Sequence, residues 1–228
     1  MVWFVTDRLV WYKSSMPPDG TKTRERLLDA AENLALGKGF SATTVDQVIA
    51  EAGSSKGAFF HHFASKGDLG RALVARYAAA DVASLEHFMA LAEDVSDDPA
   101  VQLVEFVRSF EEIGAEIAEE HQSSCLYASF VQQRELVEDG GAELIVDAIV
   151  AWRRALAEKI VAAAELRPLA ADVDPDDLAD HVFVTFEGAF ILARATSDTS
   201  HMRTQLRVLR QSLEALLGVR SEAAPEAR

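Results

Sequence analysis

A single cysteine, Cys125, in 228 residues rules out an internal disulfide framework and fits a reducing compartment. No apolar run reaches the roughly 18 residues of a membrane-spanning helix. Residues 1–16 break up their aromatics with Asp7, Arg8 and Lys13, which the apolar region of a secretory signal does not do. These absences predict a cytoplasmic protein with no membrane partner. Strand-like alternation is missing throughout and no unit repeats, so the expected class is all-α. There is no nucleophile elbow, phosphate loop or cluster of metal-ligating side chains. The expectation is therefore not an enzyme, with no cofactor and no metal. What is present is 49% hydrophobic residues and only six prolines, an ordinary globular composition able to bury a core in one large or two modest domains.

Basic charge is also scarce, with 22 lysines and arginines against 37 acids for a net charge of −15. Taken alone this argues against a nucleic-acid partner. The distribution reverses the argument: residues 17–78 hold eight basic and seven acidic side chains, whereas residues 79–228 hold 12 and 29. An acidic body beside a near-neutral head repels phosphates everywhere except at the head, which orients an encounter with DNA.

The head contains the most informative stretch, TTVDQVIAEAGSSKGAFFHHFASK from Thr43 to Lys66. Thr44 and Gln47 form a capping box that opens a helix, and Val45, Val48, Ile49 and Ala52 follow at inward-facing spacing. Gly53 supplies the positive φ of a sharp reversal. Ser55 is the expected N-cap of a second helix, and Ser65-Lys66-Gly67-Asp68 starts a third. Two short helices joined by such a turn are a helix-turn-helix, whose second helix is shaped for a DNA major groove. Lys56, Gly57, Ala58, Phe60, His61 and His62 lie on or near that helix, with Gly57 and Ala58 small enough for close approach. Lys66 has a helix N-terminus behind it, which favours phosphate. Neighbouring His61 and His62 point about 100° apart on a helix, a poor arrangement for metal.

AGSSKGAFFHHFASKGDL resembles the G-x-S-K-G-x-x-Y-x-H-F-x-x-K-x-x-L pattern of TetR-family transcriptional regulators. The resemblance covers Thr23 to Tyr77. Two positions depart from it: Ser54 stands where the family carries a hydrophobe and Phe60 where it carries tyrosine, so one core contact and one phosphate-contacting hydroxyl are missing. The resemblance implies a three-helix DNA-binding head over residues 17–68 with Thr44, Ser55 and the α-helical residues named above at the DNA. It implies a helical ligand-binding and dimerisation bundle over residues 69–219. The function implied is a homodimeric repressor that binds a pseudo-palindromic double-stranded operator and is released by a small-molecule effector. The alternatives are a ligand-insensitive dimeric DNA-binding regulator and a helical enzyme with a vestigial helix-turn-helix.

Elsewhere the pattern predicts an amphipathic helix over 22–38 with Leu27, Leu28, Ala31, Leu34 and Ala35 inward, ended by Gly37 to Gly39. A long helix runs from Lys66 through Leu91, and Ser96-Asp97-Asp98-Pro99 starts another. Further helices open at Ser123-Ser124, span roughly Ala142 to Leu166, and start at Asp174-Pro175. That last helix, HVFVTFEGAFILARA, is apolar nearly all round and must be covered on every side. The final helix, about Ser200 to Leu217, aligns Met202, Leu206, Leu209, Leu213 and Leu216, and these two helices are the expected dimer bundle. Residues 1–16 read either as a leader preceding a start at Met16 or as an aromatic arm, and 220–228 as a frayed tail. Phe106, Phe110, Cys125, Tyr127, Phe130, Trp152, Phe183, Phe186 and Glu187 are candidates to line a ligand cavity, the alternative being plain core. Glu187, a carboxylate inside an apolar run, must be paired, protonated or facing a polar ligand or partner. Cys125 is either a buried inert thiol or an electrophile sensor.

Overall fold

The computed structural model describes residues 19–120 and 141–219. The leader, the tail, the helix expected at Ser123-Ser124, and with it Cys125, Tyr127 and Phe130, lie outside these residues. The described chain is all-α, with no strand. Its helices are α1 (Asp19–Lys38), α2 (Val45–Glu51), α3 (Lys56–His62), α4 (Lys66–Val95), α5 (Pro99–Glu120), α6 (Ala142–Leu166), α7 (Pro175–Thr196) and α8 (Ser200–Leu217). Among the described residues, 19–80 with 141–147 form one compact unit and 81–120 with 148–219 form another, so the division falls inside α4 and again inside α6.

In the first unit α1 begins at Asp19, three residues before the expected Lys22, and runs through Gly37. Only Gly39, at φ 87°, ends it. Leu27, Leu28, Ala31 and Ala35 are buried as expected, and they meet Phe40, Val48, Phe59, Phe63, Leu69 and Leu73 in a small core. Each fully buried phenylalanine contributes on the order of 2–3 kcal/mol. Of the four inward residues expected on α2, Val48 is buried and Val45, Ile49 and Ala52 are half-exposed, because two turns of helix meet the core along a single line of contact. Arg76 of α4 pairs with three carboxylates one turn apart on α1: Glu25 at 3.4 Å, Asp29 at 2.7 Å, and Glu32.

The second unit is built on long-range contacts. Asp98 caps α5 by accepting the Ala100 N–H at 2.9 Å, ahead of Pro99, and pairs with Arg167 just past α6. Burial opposes its charge, but the Arg167 guanidinium and the Ala100 N–H outweigh that and hold the carboxyl below its usual range. Asp174 opens α7 by accepting from Asp176 and Asp177 at 2.9 and 3.3 Å, with Pro175 in the first turn.

The final helix corrects one expectation. Met202, Leu206, Leu209 and Leu213 are buried within this chain, where α8 lies along α5, and Leu217 rather than Leu216 completes the stripe. A Cβ at Gly114 of α5 would stand 3.3 Å from the Met202 Cβ, which is how closely the two helices approach. Arg210 bonds Glu111 and Glu214, each at 2.6 Å, alongside the layer. The leucine stripe is therefore internal core and is not available to a second subunit. The all-round apolar α7 is also covered on one side only: Val184 and Ile191 are 63% and 54% exposed, and Val208 of α8 is 51% exposed.

Candidate nucleic-acid interface

Short-range polar bonds hold the two helices of the turn. The Thr44 hydroxyl accepts the Gln47 N–H at 3.3 Å while the Gln47 side chain accepts the Thr44 N–H at 3.0 Å, completing the expected capping box. Lys38 at the end of α1 donates to the same Gln47 oxygen at 2.6 Å, tying α1 to the start of α2. Thr43 is buried and donates to the Gly39 carbonyl at 3.0 Å, which closes the intervening turn. Gly53, at φ 54°, reverses the chain. The Ser55 hydroxyl then accepts the Ala58 N–H at 3.1 Å and starts α3.

Phe59 and Phe63, one turn apart, anchor α3 in the core with ring centroids 5.7 Å from each other. Arg24 of α1 lies over the Phe63 ring at 5.4 Å. With that side inward, the opposite side presents Lys56, Gly57, Phe60 and His61 to solvent, while Ala58 and His62 are half-buried at its margin. The His61 and His62 rings meet edge to face at 4.9 Å, and no group of three metal-ligating side chains occurs among the described residues. Thr44 and Ser55 are exposed at the two helix starts.

Lys66 sits differently from the other candidates. Its ammonium donates to the Ser41 carbonyl at 3.1 Å and lies 5.0 Å from the centre of the Phe40 ring, so it braces the turn between α1 and α2 from the start of α4. At that helix start Asp68 accepts the Ala64 N–H and an Arg71 N–H, each at 3.0 Å, and its own N–H donates to the Ser65 hydroxyl. The Ala64 N–H first, and the Arg71 guanidinium second, hold the Asp68 carboxyl below the usual aspartate range against slight desolvation. Lys38 and Arg24 were not legible as part of this head, because their partners are set by tertiary contact with no sequence spacing to mark them.

The described ligand candidates gather in the second unit. Phe106 and Phe110 of α5, Trp152 of α6 and Phe183 and Phe186 of α7 join Phe88 of α4 in one ring cluster, with neighbouring centroids from 4.4 to 6.2 Å apart. The Trp152 indole donates to Asp81 of α4 at 2.7 Å. Phe88 falls on the apolar stripe of α4, a signal the sequence carried; Asp81 carried none. Glu187 is half-buried on α7 beside Phe186. An open cleft of about 550 Å3 lies elsewhere, along α6 at Val150, Arg153, Ala157 and Val161, with Asp176 of α7 at its edge.

Residues 27–73 match the family described as bacterial regulatory proteins, tetR family, and residues 100–209 match the tetracyclin repressor-like C-terminal domain. The chain belongs to the TetR family. It is 27% identical over 179 residues to the transcriptional regulator AcuR of Cereibacter sphaeroides, covering 78% of each chain. It is 23% identical over 194 residues to the HTH-type transcriptional repressor DhaR of a Mycobacterium species, covering 85% of this chain and 93% of that one. Among solved structures, the regulatory protein TetR from Rhodobacter sphaeroides superposes with a TM-score of 0.65 at 26% identity, over 83% of this chain and 97% of that one. This TetR-family chain is thus a transcriptional regulator with a helix-turn-helix head and a helical C-terminal domain. No described helix is long and apolar enough to cross a membrane.

Proposed function

We propose that this TetR-family regulator is a homodimeric repressor that binds a pseudo-palindromic duplex through α3 and is released when a small molecule occupies its helical body. The observation that carries the DNA reading is the two-sided character of α3. Phe59 and Phe63 fix one side in the core, and Lys56, Gly57, Phe60 and His61 face outward from a helix framed by two side-chain caps. The similarity to a relative named as a repressor supports the direction of regulation.

Dimerisation is assigned to the outer faces of α7 and α8, since Val184, Ile191 and Val208 are large apolar side chains left exposed by the chain's own packing. The effector is assigned to the ring cluster and Glu187, where aromatic surface stands next to carboxylates. Helix α4 runs from Arg76 in the first unit to Asp81 and Phe88 of the cluster in the second, so a ligand that parts the rings acts on a helix that also serves the head. A coupling of about 1–3 kcal/mol between the two sites is enough for release. The close contact of the rings favours a second reading, a ligand-insensitive dimeric regulator.

Selection of duplexes from a random library tests the proposal. The expected product is a pseudo-palindrome whose half-sites lie about 10 base pairs, or a multiple, apart. Lys56→Ala should change which sequences are recovered. Recovery of no sequence above background would overturn the DNA-binding reading.

A further inference from the structure

We propose that Phe60 is a specificity-determining residue that reads the C5-methyl group of a thymine in each half-site; this rests on the DNA-binding reading of α3. Phe60 is 50% exposed, on the side of α3 that also presents Lys56 and Gly57, four and three residues earlier and thus one turn away. Its orientation is fixed from behind. The ring meets the fully buried Phe59 edge to face, with centroids 5.2 Å apart and planes at 81°, and Phe59 in turn packs on Phe63. Half of the Phe60 side chain is open to solvent, and at Gly57, one turn earlier, a Cβ would find only the Ser55 hydroxyl, at 4.0 Å. Phe60 is therefore a rigid apolar surface standing out from a polar helix face.

The chemistry of that surface selects its partner. A phenyl ring offers no donor, so pressing it on a phosphate would strip water from a charge without replacing it. Base edges in the major groove expose donors and acceptors at every pair, and one apolar group, the thymine methyl. A phenyl ring is complementary to that group alone. Lys56 and His61 carry donors suited to guanine or phosphate, which leaves the apolar discrimination to Phe60.

Replacing each thymine of a library-selected duplex in turn by deoxyuridine removes the methyl and preserves base pairing. Wild-type protein should lose about fourfold in affinity at one thymine per half-site, the effect of exposing one methyl-sized group. Phe60→Ala, at a half-exposed position, should bind thymine and deoxyuridine equally there and keep any other methyl dependence unchanged. Phe60→Leu, still apolar, should retain part of the discrimination. If no thymine is methyl-sensitive, or if the sensitivity persists in Phe60→Ala, the assignment of Phe60 is overturned while DNA binding stands. If no duplex is selected at all, it is the reading of α3 that has failed.

Discussion

The head and the helical body of this chain are stabilised by different kinds of interaction. In the head, helices of seven residues are defined by bonds between residues three apart: Thr44 with Gln47 and Ser55 with Ala58. In the body, helices of 18 to 30 residues are fixed by partners far apart in the chain, as Trp152 with Asp81 and Arg210 with Glu111. A short helix cannot bury enough apolar surface to hold itself, so its ends must be satisfied locally. A long helix gains its stability from the face it buries, and its capping is secondary. The first kind of order is written in the sequence as motifs; the second is written only as apolar spacing.

The largest test of this contrast lies in two adjacent residues of α8. Leu209 is 3% exposed against α5, and Val208 is 51% exposed on the outer face. Leu209→Glu places a carboxylate in a packed core and should cost about 3–5 kcal/mol, enough to unfold the body or drop its melting temperature sharply. Val208→Glu should leave the melting of a dilute monomer almost unchanged and shift sedimentation toward monomer. Should Leu209→Glu instead give a well-folded monomer, the leucine stripe would face a partner and the packing described here would be wrong.

A smaller loss is expected from Trp152→Phe, which retains an aromatic ring and removes the indole donor. The Asp81 carboxylate then loses a bond of 2.7 Å inside the unit, and hydrogen bonds to charged groups contribute about 1.5–3 kcal/mol. Urea unfolding should show the decrease at constant slope. No decrease would mean that the rings, and not the polar tie, fix α4 to the cluster.

The same contrast explains what could be read in advance. The capping box, the Gly53 reversal, the Ser55 start and the bounds of α6 and α7 were legible because each depends on residues close in sequence. So was the grouping of Phe106, Phe110, Trp152 and Phe183, since each sits on an apolar stripe. Which way a stripe turns was not legible. Met202, Leu206 and Leu209 satisfy helical spacing equally well against α5 or against another subunit, and only the partner's shape, including the missing side chain of Gly114, decides. The position of Lys66 failed to show for a similar reason: its carbonyl acceptor on Ser41 lies 25 residues away.

The smallest expected effect separates a charged cap from a neutral one within the head. Asp68→Asn and Thr44→Ala each remove a helix-start interaction and should each cost about 1 kcal/mol at neutral pH. Their pH dependence should differ. The Asp68 carboxyl is held below its ordinary pKa by the Ala64 N–H and by Arg71. A depressed carboxylate contributes stability that is complete above the unfolded value, about 4, and disappears as pH falls through the lower folded value. The wild-type advantage over Asp68→Asn should therefore be constant from pH 7 to about 5 and shrink below pH 4. The advantage over Thr44→Ala, whose hydroxyl does not titrate, should stay level across the same range. Denaturant unfolding of the three proteins at pH 7, 5 and 3.5 reads both differences while subtracting the many other acids common to all of them. If the Asp68→Asn difference is as large at pH 3.5 as at pH 7, the neutral acid supports the start of α4 as well as the carboxylate does, and the ionic part of the cap contributes nothing.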